Sequence, residues 1–301
     1  MTEEKQKNRQ VEWSFSFDKL ADDIGEFFKS RGMSGEEQIK HAEFSDPLGS
    51  TTSARVRLDL SVGETTIKPV ADPANLFEAE VTYVGEVEFA ATGEGERTIT
   101  LAQANPGGEW FRNLFGWIGS GQKLRWDIGL SSAVPLELDV HGGVGRCEFD
   151  LTTLKPRSIM IAGGTGEITL ALPDASEPYG ATINAGVGRS SISIPGGTSV
   201  NLSARIGTGE MNISIGDDAD VTARVSGGVG ATNLVLPANA AVRIEAKAGL
   251  GDINVPKHIP RISGGGGSWE RGGVFQTPGY ETAARKITIH FDAGIGALNV
   301  Q

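Results

Sequence analysis

Four histidines (His41, His141, His258, His290), one cysteine (Cys147) and the carboxylates Asp139 and Asp150 beside it are the first places to look for chemistry in this 301-residue chain. Metal-binding histidines come in short, regular spacings or beside other ligands, and these four are scattered along the chain, so they read as solvated side chains. Asp139 and His141 alternate onto one strand face with Asp150 close by, an arrangement that acid–base cleavage of a polysaccharide could use. The equivalent positions in the following repeats are Met160, Thr182 and Ser203, so no charged cleft is expected around the pair. Cys147 falls at an inward position and is expected to be a small core residue; a single cysteine forms no internal disulfide.

Glycine-rich signatures fail on equally specific points. A dinucleotide fingerprint requires Gly-x-Gly-x-x-Gly opening a helix, and the third glycine is missing after Gly166, Gly209 and Gly230. Calcium-binding β-rolls require aspartate two residues after their Gly-Gly-x-Gly, where Thr232 follows Gly230. The expectation is a chain with no catalytic residues, no cofactor and no metal.

What positions these residues is a repeat. Gly-x-Gly triplets begin at Gly143, Gly164, Gly186, Gly207, Gly228 and Gly249, so successive starts lie 21 or 22 residues apart, and one more begins at Gly294. With 42 glycines, about twice the usual share, tight corners are a main theme of the chain. Before each second glycine the apolar residues alternate in one phase, as in Val221, Ala223, Val225 and Val229, or Ile287, Ile289, Phe291, Ala293 and Ile295. After it they alternate in the other phase, as in Met211, Ile213 and Ile215. Period-two alternation with a one-residue slip means two strands meeting at a corner, with both apolar faces inward. The corners are assigned to Gly145, Gly166, Gly188, Gly209, Gly230, Gly251 and Gly296, and Pro173, Pro195, Pro237 and Pro256 end the second strands.

Two architectures fit this unit: a parallel β-solenoid with one coil per repeat, or an antiparallel meander with one hairpin per repeat. The steady period favours the solenoid, because it turns equivalent positions into columns: Val144, Thr165, Val187, Thr208, Val229, Leu250 and Ile295 at the corner centres, and Asn212, Asn233, Asn254 and Asn299 on the outer face. The predicted fold is therefore all-β, a parallel solenoid of about 21-residue coils with an added N-terminal amphipathic helix.

Three regions follow. Residues 1–40 form a tail and the helix over Asp18–Arg31, whose apolar face is Leu20, Ala21, Ile24, Phe27 and Phe28. It is expected to cap the solenoid; its acidic polar face argues against lying on a membrane, and partner binding is the other reading. Residues 41–134 hold a weak coil over Val56–Ile67, irregular strand-like runs, and the aromatic insertion Trp110–Ile118. That insertion either packs on the coils or carries Trp110, Phe111, Phe115 and Trp117 to a partner, and these four are the candidate interaction residues. Residues 135–301 form the regular solenoid, interrupted at 257–285 by a glycine-rich segment read as a flexible excursion; Gln301 stands within the last coil, and either that segment folds over this end or the end is left free for another subunit.

A net charge of −11 repels phosphate backbones, so nucleic acid is not an expected partner. The charged N-terminus and the absence of an apolar run of about 18 residues lead to the expectation of a cytoplasmic chain without membrane spans. The unit LDLSVGETTIKP at Leu58–Pro69, then LFEAEVTYVG and the Gly-x-Gly coils, resembles the bacterial toast-rack proteins over residues 50–301. These include LiaF-like and PspC-like envelope-stress regulators and adhesin-like solenoid domains. The resemblance implies a β-solenoid used for protein contacts, without catalytic residues. Three roles follow as expectations: an interaction scaffold with a protein partner, a homo-oligomer stacked through its coil ends, or a surface adhesin.

Overall fold

A computed structural model describes residues 39–103, 124–264 and 271–301. The predicted helix over Asp18–Arg31 and the residues Trp110, Phe111, Phe115 and Trp117 lie outside the described residues. In chain order the strands are β1 (Lys40–Pro47), β2 (Ser53–Asp59), β3 (Glu64–Pro69), β4 (Asn75–Tyr83), β5 (Val87–Thr92) and β6 (Glu96–Gln103). There follow β7 (Arg125–Leu130), β8 (Pro135–His141), β9 (Val144–Asp150), β10 (Lys155–Ala171), β11 (Tyr179–Ile194) and β12 (Ser199–Ile215). The last are β13 (Asp220–Val235), β14 (Val242–Leu250), β15 (Ile253–Asn254), β16 (Arg261–Ser263), β17 (Arg271–Gln276) and β18 (Ile287–Val300).

Each of β10 to β13 is a whole rung: a first leg, a glycine corner and a second leg. They lie parallel and in register, with Ala181 between Ile159 and Leu202, and Gly166, Gly188, Gly209 and Gly230 stacked in one column. The antiparallel meander is thereby excluded. Inward residues such as Ile161, Ile183, Ala204 and Val225 from the first legs meet Leu170, Ile192, Ile213 and Leu234 from the second, all buried in one continuous core from Ala54 to Val300.

The corner needs glycine for two reasons. Gly209 and Gly230 have φ of 135° and 140°, a region side chains avoid, and a Cβ on Gly230 would stand 1.7 Å from the carbonyl oxygen of Gly209. One correction concerns the residue between the glycines. Val229 and Ile295 were expected to face inward with their strands, yet they are among the exposed residues. The buried Val225 and the buried Thr232 stand in opposite phases, so the slip between them carries the residue between the two glycines to the outside of the bend.

The order of rungs departs from the order of the chain at both ends. At one end β18 lies between β13 and β14: Val221 and Val242 flank Ile287, Val229 and Leu250 flank Ile295, and Asn233 and Asn254 flank Asn299. Gln301 is therefore inside the stack, its N–H bonded to Leu234 O at 2.9 Å, which overturns one of the two readings of this end, that it is left free. At the other end β2–β3 lies between β6–β7 and β8–β9. In each case one coil is wedged between two coils that are neighbours in sequence.

Antiparallel strands cover the outermost rungs. The segment 257–285 is largely a cap, which corrects its reading as a flexible excursion: β17 pairs with β14, β16 pairs with β17, and Ile259, Phe275 and Tyr280 are buried beneath them. At the opposite end β5 covers β6, β4 covers β7 and β1 covers β4. Phe89 stacks between Phe44 and Phe77, at 5.1 Å and 5.6 Å, and plugs that end of the core. Asp46 ties β1 to β6 by a two-pronged pair with Arg97, bonded at 2.8 Å and 2.5 Å.

The turn before β4 is held by one carboxylate. Glu78 accepts from Asn75 Nδ2 at 2.8 Å, Ala71 N at 2.9 Å and Asp72 N at 3.2 Å. The bond from Asn75, more than the two backbone donors, holds its pKa below the ordinary 4.5, against a smaller upward push from burial. A lowered folded pKa contributes stability above the unfolded value and loses it as pH falls through the folded one. Glu78→Gln should therefore lower the melting temperature at pH 7 and should narrow the gap between melting at pH 7 and pH 3.5. An unchanged gap would show that this carboxylate does not couple to folding.

The asparagine column forms as expected, in the order the stacking dictates. Asn233 Nδ2 donates to Asn212 Oδ1 at 2.8 Å, Asn299 Nδ2 to Asn233 Oδ1 at 2.9 Å, and Asn254 Nδ2 to Asn299 Oδ1 at 2.8 Å. Each amide donates to one rung and accepts from the next, which locks register along the stack. Asn233→Ala removes two of these bonds and should cost about 2 kcal/mol, at roughly 1 kcal/mol per partly buried bond. Asn254→Ala removes one and should cost about half as much; equal urea midpoints for the two would contradict the ladder.

Candidate functional site

The residues first considered for acid–base work do come together, with partners the sequence did not reveal. Met160, Thr182 and Ser203 follow Asp139 along one outward row, as expected. On the other side the wedged β2 brings Arg57 beside Asp139 and Asp59 beside His141. His141 Nε2 lies 2.9 Å from Asp139, Arg57 Nε lies 2.8 Å from Asp59, and Arg55 Nε lies 2.8 Å from Glu137. The hydrogen bond to Asp59, then its charge, raises the Arg57 pKa. Asp150 belongs to β9 in the other leg and does not join this group. The row is a strip of paired opposite charges on an outward strand face.

The remaining candidates are dispersed. His41 Nδ1 lies 3.0 Å from Thr82 Oγ1, His258 is exposed, and His290 Nδ1 lies 3.1 Å from Glu245. Among the described residues no three His, Cys, Asp or Glu side chains are grouped to hold a metal. Cys147 is half-buried against the core, and burial pushes its thiol up to about 11, which makes it a poor nucleophile near neutral pH. No helix among the described residues is long and apolar enough to cross a membrane.

The surface that stands out is the corner edge. The apex residues form one column, Val144, Thr165, Val187, Thr208, Val229, Ile295 and Leu250, with glycine on both sides of each. Their exposure rises along it, from 40% at Val187 to 48% at Val229, 52% at Ile295 and 66% at Leu250. The lane just past the corner changes character in the same direction. It begins with alternating charges: Arg125 beside Glu64, then Arg146 paired with Glu167 and Arg189 paired with Glu210, both at 3.3 Å. Pairs this exposed contribute little energy but keep the lane polar. Beyond Glu210 the lane becomes Ala231 and Ala297 beside Val229 and Ile295, and it is charged again at Asp252 in the rung of Leu250.

β6 and β7 pair in register with β2 and β3, so Gln103 at the end of β6 and Leu124 before β7 both lie at this edge; the aromatic residues between them in sequence are outside the described residues. Sequence reasoning missed the apex column as a surface. The signal was available: Val225 and Thr232 both face inward, so the residues between them cannot keep both phases, and the slip is spread over the whole corner.

No curated protein matches this chain. Among solved structures, a "putative cell adhesion protein" from Clostridium sporogenes is 18% identical with a TM-score of 0.42, over 87% of this chain and 99% of that one. A "putative adhesin" from Bacteroides fragilis is 8% identical with a TM-score of 0.33, over 90% of this chain and 100% of that one. The family described as the N-terminal domain of toast_rack, DUF2154, matches residues 31–193, from before β1 into β11. That span is more than half of the chain and contains the wedged β2–β3 coil and the first glycine corners, and the chain belongs to this toast_rack family.

Proposed function

We propose that this protein is a non-catalytic binding platform whose contact face is the corner edge of the solenoid. The observation that carries the reading is the run of Val229, Ile295 and Leu250, exposed in consecutive rungs with glycine on both sides of each and with Ala231 and Ala297 beyond the first two. Large aliphatic groups in adjacent register keep apolar area in water, and such area marks a contact surface. Trp110, Phe111, Phe115 and Trp117, which the sequence carries between Gln103 and Leu124, are side chains of the kind that anchor interfaces. The net charge of −11 favours a protein partner over nucleic acid. Toast_rack membership supports a role in contacts, and envelope-stress signalling is the setting in which we would seek the partner.

The test compares three variants in capture from native lysate: Val229→Lys with Ile295→Lys, Trp110→Ala with Trp117→Ala, and Met160→Lys as an exposed control on a strand face. The first two should lose at least tenfold of a partner that the wild type and the control retain. Equal capture by all three would remove the corner edge as the contact face.

A further inference from the structure

The rung order at β13, β18 and β14 carries an inference independent of the corner edge. Val221 and Val242 are 21 residues apart, and both pair with Ile287, one from each side. Val200 and Val221 are also 21 residues apart, yet they pair directly. The linker after β13 therefore crosses two rung spacings, roughly 10 Å, with the chain length that elsewhere crosses one of about 4.8 Å. Every column on β13 also continues on β14–β15 at the same offset: valine to valine at 221 and 242, glycine to glycine at 230 and 251, asparagine to asparagine at 233 and 254. The two walls of the slot are thus matched to each other as well as to β18, and withdrawal of β18 leaves two surfaces with complementary pleat and register.

β18 itself is a self-contained insert. Its inward residues Ile287, Ile289, Phe291, Leu298 and Val300 are all buried, and its backbone pairs on both sides along the length of the strand. Residues 277–286 connect it to β17 through a 3-10 turn at Tyr280–Thr282 with Tyr280 buried, and once that turn is released ten residues extended span up to about 34 Å. That tether is long enough to present β18 to the slot of an adjacent molecule.

We infer that the slot between β13 and β14–β15 is a strand-exchange site, which takes β18 from its own chain or from a second copy. The partner is defined by the strand chemistry the slot selects: alternating aliphatic residues on one face, a Gly-x-Gly corner aligned with Gly230 and Gly251, and an asparagine between Asn233 and Asn254. A second copy meets every one of these requirements.

Ser226 on β13 and Asp292 on β18 are register partners on the outward face and allow a direct test. Chains carrying Ser226→Cys are mixed with chains carrying Asp292→Cys, incubated, and treated with a short bis-maleimide; wild-type chains, whose one thiol is the half-buried Cys147, are the background control. Exchange predicts a covalent pair of chains joined through positions 226 and 292, with a yield that rises with protein concentration. The doubly substituted chain should link within itself at low concentration. A double variant that links internally while the mixture yields no 226–292 pair at any concentration overturns the proposal. Pairs joined only 226 to 226 or 292 to 292 report chance encounters and overturn it as well, and so does a double variant that fails to link, because β18 would then not lie beside β13.

Discussion

Gly230→Ala should destabilise the protein by about 4 kcal/mol, combining roughly 1–3 kcal/mol of backbone strain with a steric clash that a well-packed stack relieves only by parting its rungs. The strain arises because φ at Gly230 is 140°, and the clash because the new Cβ would sit 1.7 Å from the carbonyl oxygen of Gly209. Backbone cannot swing aside as a side chain can, so the cost falls on the hydrogen-bonded ladder between β12 and β13. Gly180→Ala is the matched control. Gly180 lies within β11 with nothing within 4 Å of its Cβ position, so alanine there should be neutral or slightly stabilising, within about 0.5–1 kcal/mol. Urea denaturation of the two variants decides the matter, and similar midpoints would remove the stacked-glycine account of the corner.

Phe291→Ala is the second large effect. Phe291 is 2% exposed on β18, between Val225 of β13 and Ala246 of β14. Its removal leaves a cavity beside small neighbours that cannot close it, which costs about 3–5 kcal/mol for a buried phenylalanine. The location of the damage discriminates between rung orders. Because β14, β15 and β17 rest on β18, their amides should lose hydrogen-exchange protection together with β18, while β10 and β11 keep theirs. Protection lost from β18 alone, with β14 still guarded, would mean that β14 pairs with β13 in solution.

The repeat, its glycine corners and the asparagine column were legible because each depends on short-range pattern: period two within a strand, and a period of 21 or 22 between rungs. Rung order was not legible, for a physical reason. Val221, Val242 and Ile287 present the same inward face, and Gly230, Gly251 and Gly296 the same corner, so the pattern that identifies a coil cannot say which coil lies beside it. The same degeneracy concealed Arg57 and Asp59 beside Asp139 and His141, since the wedged β2–β3 coil is far from β8 in sequence. The outward apex residues were hidden differently. Apolar character at Val229 and Ile295 resembled core, whereas the phase slip between the buried Val225 and Thr232 turns the apex outward. The cap formed by β16 and β17 was masked by glycines that suggested a loose excursion, whereas Phe275 and Ile259 supply its anchor.

Wedged coils also change how the molecule would bear a tensile load. A strand on the rim of a sheet can be peeled away one bond at a time, but β18 and β2–β3 are each gripped by ladders on both flanks, so a pull along either must shear two rows of bonds together. The wedged coils thus carry the two-flank grip of the interior rungs to a place next to the covered ends of the stack.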